Sequence, residues 1–310
     1  MKYEAENRDD PARGKIMLKG ELAAFAVALC WTVSAVSFEN ASKRIGSFPV
    51  NILKLILAYI FLTAYNAILY GNILPHADME RIIWLSLSGF VGFFIGDLFL
   101  FQAFVLIGSR VSMLIMCTSP VMASIAGFFI FGERPTPSDT SAIIIILTGI
   151  ALVVLTRDSN GDIKFSKPLP GILCAFAGAA GQAGGLVLSK IGVRDFDPFI
   201  ATQIRIIAGF AGFIIAVLVM RNAGRVIISF RNIKGFSFTA LGAFFGPFLG
   251  VSLSLYSVKY ADIGVASTLI SVVPVLLIPV SFFLYGEKVR RMEIAGIILS
   301  MTGVALLFLL

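Results

Sequence analysis

Charged residues are scarce in this sequence, and their scarcity excludes a water-soluble globular protein. They make up 14% of the 310 residues, whereas 58% of the residues are hydrophobic. A soluble domain usually carries about 25% charged residues, because polar groups must cover its surface. Too few are present here to build such a surface, so lipid must be the solvent for most of the chain.

Histidine and cysteine are also scarce, which argues against a metal site or a disulfide framework. The chain has one histidine, His76, and its three cysteines lie in separate apolar runs at Cys30, Cys117 and Cys174. The sequence lacks the G-x-S-x-G and H-E-x-x-H motifs of hydrolases and the G-x-x-x-x-G-K-[ST] loop of ATP-driven pumps. We therefore expect no enzyme activity, no catalytic residue, no metal and no cofactor.

Long apolar runs are abundant. A helix needs ~20 apolar residues to cross a bilayer. The first run continues into Phe38 without a signal-peptide cleavage site, so it is interpreted as a transmembrane helix. About ten such helices are predicted, at residues 20–40, 48–70, 81–106, 109–131, 139–156, 170–190, 198–219, 236–258, 262–285 and 292–310. The basic stretch 220–235 is either a surface helix in the headgroup plane or a plain loop.

A duplication relates the two halves of the chain. Residues 120–156 recur 154 positions later at 274–310, where 13 of 37 aligned residues are identical. The matches keep Pro120 and Pro274, a Phe-Phe pair, Gly-Glu and Thr-Gly in the same order without a gap. Chance similarity between two apolar runs would match Leu and Ile, but not this series. The chain therefore contains the same membrane unit twice.

The duplication predicts how the chain is organised. We divide it into a cytoplasmic tail (1–19), a first repeat (20–156), a linker (157–169) and a second repeat (170–310). Each repeat holds five helices, and this odd number makes the second repeat enter the membrane from the opposite side. The predicted fold is an all-α membrane protein of about ten transmembrane helices, built as two inverted five-helix repeats. Such repeats are typical of transporters.

The repeated motif also carries a family resemblance. Each half ends with P-x7-FF-x2-GE, a short polar turn and a last helix with TG-x-AL. In this, residues 20–310 resemble the EamA-type transporters of the drug/metabolite transporter superfamily. The resemblance implies a ten-helix carrier of the cell (inner) membrane with both termini cytoplasmic, a central cavity between the halves and a peripheral last helix in each half. Relatives carry amino acids, other metabolites, drugs, sugar phosphates or nucleotide sugars, so the resemblance names no single substrate.

The basic residues of the loops argue weakly for the opposite orientation. With a cytoplasmic N-terminus, ten basic residues lie inside and thirteen outside, whereas cytoplasmic loops usually carry the excess. We follow the orientation that the resemblance implies. The net charge of +7 is attributed to loops that meet anionic lipid headgroups, so no nucleic-acid partner is expected.

Asp97 is the sharpest candidate for a functional residue. It lies within the third predicted helix, in the sequence GFFIGDLFLFQ. A carboxylate at this depth costs on the order of 3 kcal/mol, so it must be paired or protonated. It is either a site for a substrate amine or a proton, or a hydrogen-bonded residue that holds helices together. Its counterpart at the offset of 154 is Val251, and such asymmetry is expected of a single polar site.

Two basic residues occupy similar places in the second and seventh predicted helices. Lys54 and Arg205 each lie about two turns from a helix start. They either pair with Asp97, bind a carboxylate or phosphate of the substrate, or extend to the nearest headgroups. Further candidates are polar or aromatic residues that could bind substrate, although the same types also hold helices together: Glu39, Gln182, Gln203, Trp31 and Tyr256.

Glycine and proline mark packing faces and candidate hinges. Glycines spaced by four share one helix face and let two backbones approach closely. They occur at Gly92 and Gly96, at Gly181 and Gly185, and at Gly242, Gly246 and Gly250. The sixth and eighth helices are therefore expected to pack near the centre. Pro120 and Pro274 break helices at matched positions, which in transporters indicates a central site or hinge.

The sequence thus predicts a secondary transporter that moves a small polar metabolite by alternating access. An amino acid or similar solute, moved outward, is the first choice, and proton coupling is left open. A sugar-phosphate, nucleotide-sugar or drug carrier is the alternative, and a channel or lipid scramblase is less favoured. The expected partners are the lipid bilayer and the small-molecule substrate, and a homodimer is left open.

Overall fold

The computed structural model describes residues 11–71, 75, 77–131, 137–157, 163–193, 196–221, 223–260, 269–286 and 290–309. These residues are almost entirely helical. The helices are α1 (Pro11–Ile45), α2 (Ser47–Tyr70), α3 (Met79–Gly89), α4 (Asp97–Ile115), α5 (Ser119–Phe131), α6 (Pro137–Val154), α7 (Leu169–Gly192), α8 (Pro198–Met220), α9 (Ala223–Ser229), α10 (Ile233–Ala243), α11 (Val251–Tyr260), α12 (Val273–Tyr285) and α13 (Arg291–Leu309). Strands β1 (Leu155–Arg157) and β2 (Ile163–Phe165), which the sequence did not predict, form an antiparallel pair.

Six helical stretches of the described residues are long and apolar enough to cross a bilayer. They are Leu18–Ile45, Ser47–Leu69, Met79–Ala126, Leu169–Gly192, Pro198–Met220 and Ile233–Ser254, and two apolar helices are shorter, Thr140–Val154 and Val273–Tyr285. The prediction of a helical, multi-pass membrane protein is therefore confirmed. The count of ten crossings stays a prediction. The basic stretch 220–235 contains the short helix α9, so it is not a plain loop.

Gly108 divides the longest of these stretches. Met79–Ala126 has 48 residues, which would measure about 72 Å as a straight helix at 1.5 Å per residue. Gly108 has φ +80° and ψ 162°, a conformation that side chains disfavour and glycine tolerates. The break falls between the predicted helices 81–106 and 109–131.

Irregular helical turns repeat in the two halves. α3 leads into α4 through the π-helical segment π1 (Phe90–Gly96), and α10 leads into α11 through π2 (Phe244–Gly250). These two segments are 154 residues apart, the offset of the sequence repeat. Since π-helices are rare, their recurrence at this offset shows that the duplication extends to unusual backbone geometry as well as to sequence.

A second matched irregularity precedes the two prolines. A 3₁₀ turn at Met116–Thr118 separates α4 from α5, which begins just before Pro120. In the other half, a turn at 271–272 precedes Val273 and Pro274 at the start of α12. Proline fits the first turn of a helix because that turn needs no backbone N–H partner. Both prolines therefore lie just after a helix break at the same place in each repeat, whereas a hinge role for them stays a prediction.

Surface helix ends are capped by short polar side chains. Oδ1 of Asp197 accepts hydrogen bonds from the N–H groups of Phe199 and Ile200 at 2.9 and 3.0 Å, and Pro198 follows it at the start of α8. Asp78 caps α3 and Asn232 caps α10 in the same way. These caps satisfy N–H groups that have no partner within the helix.

Glycine faces join α7 to the α3–π1–α4 stretch. A Cβ added at Gly181 would lie 2.4 Å from the Cα of Gly96, and one added at Gly185 would lie 2.9 Å from the Cα of Gly92. Gly171, near the start of α7, contacts Ile107, which lies toward the end of the other stretch. The two helices are therefore antiparallel, and only residues without side chains fit between them.

The matching contact joins α1 to the α10–π2–α11 stretch. Gly242, Gly246 and Gly250 lie against Phe38, Ser34 and Trp31 of α1, respectively. The residue numbers rise along one helix as they fall along the other, so this pair is also antiparallel. The predicted sixth and eighth helices thus both pack through their glycine faces, the sixth on the third and the eighth on the first.

Two further antiparallel pairs link equivalent helices of the two halves. In α2 and α8, Phe48 packs against Phe213, while Asn66 bonds to Gln203. In α6 and α13, Gly149 contacts Ser300, and Gly303 contacts Ile146. The last helices of the two repeats therefore pack directly on each other.

The α7 glycine face allows a direct test of this packing. In Gly181→Ala the new methyl group would meet the backbone of Gly96, which cannot move aside as a flexible side chain would. We expect the free energy of unfolding to fall by about 1–3 kcal/mol, measured by detergent-phase denaturation. Gly224→Ala is the control, because nothing lies within 4 Å of that position. An equal effect of the two substitutions would contradict the close approach.

Candidate functional site

The Asp97 carboxylate joins both halves of the molecule. Asp97 directly follows π1 and is 6% exposed. Its Oδ2 is paired with Nζ of Lys54 in α2, and its Oδ1 accepts a hydrogen bond of 2.7 Å from Nε2 of Gln182 in α7. Both carboxylate oxygens are therefore engaged, one by the first repeat and one by the second.

The glycines of π1 bring Gln182 to this carboxylate. Because Gly92 and Gly96 have no side chains, α7 approaches closely enough for Nε2 of Gln182 to donate also to the carbonyl oxygen of Gly92 at 3.2 Å. A side chain at Gly96 would meet the backbone of Gln182 at 3.1 Å. The small residues of the packing face thus position a polar contact in the middle of the helices.

Aromatic rings surround the Lys54 ammonium group. Lys54 is 2% exposed, and its Nζ lies 4.1 Å from the ring centroid of Phe101 and 5.8 Å from that of Phe38. Cation–π attraction adds to the ion pair where water is absent. Asn51, one turn before Lys54 on α2, donates to the backbone oxygen of Asp97 at 3.2 Å. Lys54 therefore points into the protein and does not extend to the headgroups.

Arg205 of α8 lies beside the same group. It is 7% exposed, and its guanidinium carbon lies 4.9 Å from the ring centroid of Phe93. Its Nη2 is 3.6 Å from the place that a Cβ on Gly92 would occupy, and its charge attracts that of Asp97. Four residues predicted from the sequence thus converge where the two halves meet. We refer to them as the charged cluster: Lys54, Asp97, Gln182 and Arg205.

Gln203 belongs to a separate polar group. It is fully buried, its Oε1 accepts from Nδ2 of Asn66 at 2.9 Å, and its Nε2 donates to Oγ1 of Thr63 at 2.9 Å. These bonds join α2 to α8, as buried amides commonly do between membrane helices. Sequence reasoning missed Asn66 and Thr63, although both are polar residues in the mostly apolar second half of α2.

Glu39 lies at the end of α1 and caps another helix. Its side chain is 2% exposed, and its role in substrate binding stays a prediction. Its Oε2 accepts a hydrogen bond of 2.8 Å from the backbone N–H of Ser109, the first residue after the Gly108 break, and Oε1 pairs with Lys43. A carboxylate at a helix start is stabilised by the exposed N–H groups and the helix dipole.

Two further contacts near Glu39 connect the halves. Nδ2 of Asn40 donates to the hydroxyl of Tyr285 at the end of α12 at 2.6 Å, and Arg110 pairs with Glu293 of α13 at 3.2 Å. We name this group the polar tie: Glu39, Asn40, Lys43, Arg110, Tyr285 and Glu293. It fastens the first repeat to the second at one end of the molecule.

The aromatic candidates lie apart from the charged cluster. Trp31 packs on Gly250 and joins an apolar group with Ala28 and Leu277. Tyr256 is half-buried in α11. A role for either side chain in substrate binding stays a prediction. The repeated Gly-Glu motif lies outside the described residues except for Gly286, which ends α12 with φ +63°.

The charges of the cluster predict unequal effects of substitution. Asp97→Asn leaves two buried cations without a carboxylate, whereas Lys54→Met leaves the carboxylate facing Arg205. We expect Asp97→Asn to lower the free energy of unfolding by about 3 kcal/mol and Lys54→Met to lower it less. The double variant should be more stable than Asp97→Asn alone, because it returns the net charge to that of the original cluster. Additive losses in detergent denaturation would contradict this coupling.

Comparisons with known proteins agree with this architecture. A solved structure described only as "Crystal structure of protein" superposes with a TM-score of 0.62 at 18% identity, and the alignment covers 94% of this chain and 96% of that one. No curated protein matches the sequence significantly. The EamA-like transporter family matches twice, at residues 18–155 and 169–309, which are close to the two predicted repeats. The chain therefore belongs to the EamA-like transporter family.

Proposed function

We propose that this protein is a secondary carrier that exports a small polar metabolite, an amino acid or a similar solute, by alternating access. The observation that carries the proposal is the charged cluster. It is buried, it lies where the two repeats meet, and residues of both repeats form it. Ionisable groups in the membrane are costly and usually mark the path of a substrate or ion. Membership of a transporter family supports the same conclusion.

The direction of the paired helices supports two inverted repeats. α2 and α8 are equivalent helices, as are α6 and α13, and each pair is antiparallel. A two-fold axis parallel to the helices would make equivalent helices run the same way. An axis perpendicular to them, in the membrane plane, makes them antiparallel. With the Gly108 break counted as a turn between two crossings, we propose five crossings in each repeat.

Alternating access is supported by features at different depths of the molecule. The polar tie holds the repeats together at one end and includes Tyr285 at the end of α12, while the matched helix breaks lie at the starts of α5 and α12, just before Pro120 and Pro274. Small rotations about such breaks change one mouth without repacking the whole bundle. Asp97 also offers a protonatable group whose neutralisation would free Lys54 and Gln182, so we propose the proton as the coupling ion.

A carrier of anionic solutes is the second candidate, because the charged cluster holds two cations and one carboxylate. Sugar phosphates and nucleotide sugars belong to this class. A channel or scramblase is less favoured, since neither needs a buried ion-paired centre formed by both repeats. A carrier differs from a channel or a scramblase because its flux saturates as the solute concentration rises.

Transport measurements test the carrier. In proteoliposomes loaded with a panel of metabolites, we expect saturable uptake and counterflow of at least one small polar solute. Asp97→Asn should abolish this transport while the protein still inserts. Asp78→Asn makes the same substitution at the surface end of α3 and should leave transport unchanged. Linear, unsaturable flux would favour a channel, and normal transport by Asp97→Asn would remove Asp97 from the mechanism.

Reporter fusions test the proposed orientation and inversion. Both termini should be cytoplasmic, and an odd number of crossings in the first repeat places the linker on the opposite side. Green fluorescent protein at the C-terminus should therefore fluoresce, and alkaline phosphatase inserted at residues 158–162 should be active. The opposite result for both reporters would reverse the orientation. Reporters on the same side would overturn the five-helix repeat.

A further inference from the structure

The buried guanidinium group of Arg205 has no hydrogen-bond acceptor among the described residues. Its side chain lies within the helices at 7% exposure, and its Nε is fully buried. The guanidinium group packs against the ring of Phe93. A guanidinium carries five N–H donors, and buried donors in proteins are almost always bonded. An unbonded guanidinium group at this depth is therefore a candidate binding site for a ligand that accepts hydrogen bonds.

The other charged groups of the cluster already have partners. Each oxygen of the Asp97 carboxylate accepts a hydrogen bond, one from Lys54 and the other from Gln182. An added ammonium group would therefore compete with two existing bonds and would increase the positive charge of the cluster. The cluster as a whole has two positive charges and one negative charge, so a single additional anion would make it neutral. Charge balance thus favours an anionic group as the ligand.

A gap the size of a methyl group lies beside Arg205, at the glycine face between π1 and α7. Around the position that a Cβ on Gly92 would fill, Nη2 of Arg205 and Cα of Gly185 both lie at 3.6 Å, and Oε1 of Gln182 lies at 4.0 Å. The ring of Phe93 covers one face of the guanidinium, which leaves its in-plane N–H groups for a carboxylate or phosphate. Oε1 of Gln182 offers an acceptor for a hydroxyl or amine of the same ligand.

We propose that Arg205 is the binding site for an anionic group of the transported solute. This inference rests on the proposed carrier function and narrows its substrate class to solutes with a carboxylate or a phosphate. Phe93 positions the guanidinium, and the Lys54–Asp97 pair acts as a neutral partner. The solute therefore docks through its negative charge on the α8 side of the cluster, with a donor group toward Gln182.

The experiment compares charge classes of solute in the same proteoliposomes. Carboxylates, phosphates, zwitterions, cations and neutral polar solutes are offered separately, and each transported solute is compared with its amide or dephosphorylated form. We expect every transported solute to carry an anionic group, and its neutral form to lose about 10- to 100-fold in kcat/KM, as expected for hydrogen bonds to a charged group. The carboxylate and phosphate arms show which anion is used.

Variants of Arg205 complete the test. Arg205→Gln should lose the transport of anionic solutes without a lower unfolding temperature, because it removes an unneutralised charge. Arg205→Lys should keep weaker transport, since a point charge replaces the bidentate fork. Arg81→Gln is the matched control on α3 and should behave like the original protein. If Arg205→Gln lowered the unfolding temperature as well as transport, Arg205 would have a structural role and the inference would be overturned.

Other outcomes separate the two proposals. Saturable transport of solutes that lack any anionic group would overturn the Arg205 site and leave the carrier intact. Unchanged anion transport by Arg205→Gln would do the same. If no solute class shows saturation or counterflow, the carrier function itself fails, and the site fails with it.

Discussion

The close approach of two glycine faces is the constraint on which the charged centre depends. α7 lies on π1 with glycine against glycine, Gly181 on Gly96 and Gly185 on Gly92. In a bilayer, lipid tails are as apolar as leucine, so helix association relies on close packing and polar contacts. The same approach places the Gln182 amide within 2.7 Å of the Asp97 carboxylate. The glycine contacts between α7 and π1 therefore also position the hydrogen bond between Gln182 and Asp97.

Burial then determines what the charges can do. An isolated ion in the helices would be unstable, and a pair is retained only when its remaining donors and acceptors are bonded. Lys54 and Asp97 meet this condition through Gln182, Asn51 and the rings of Phe38 and Phe101. Arg205 does not meet it. The charged cluster therefore holds a bonded ion pair beside a guanidinium group that has no hydrogen-bond acceptor among the described residues.

Much of this could be predicted from the sequence, because the strongest signals were energetic. A carboxylate amid apolar residues had to have a partner, and Lys54, Gln182 and Arg205 were the polar residues of neighbouring helices that could supply one. The repeat also predicted helix breaks at Pro120 and Pro274, and the repeated motif predicted the family. The family match confirmed the second of these predictions. The EamA-like match covers nearly the same residues as the predicted repeats.

Other features could not be predicted, because helices that are apolar on all sides give no indication of which face turns inward. The stacking of Arg205 on Phe93 and the place of Phe101 beside Lys54 depend on helix rotation. Asn51 could have been found, since it lies three residues before Lys54 and so shares its face. The role of Glu39 depended on a break at Gly108 that places a helix start beside the end of α1, and spacing along the chain does not show that proximity.

Several residues of the polar tie have no polar counterpart at the matched positions of the other repeat. At the repeat offset, Tyr285 corresponds to Phe131 and Arg110 to Gly264, and the matched ends of the first and sixth helices pair Glu39 with Leu186. If the protein works by alternating access, as proposed, this asymmetry would make its inward-facing and outward-facing states unequal in free energy. Apparent half-saturation concentrations would then differ between the two membrane faces, while the equilibrium distribution of solute would not.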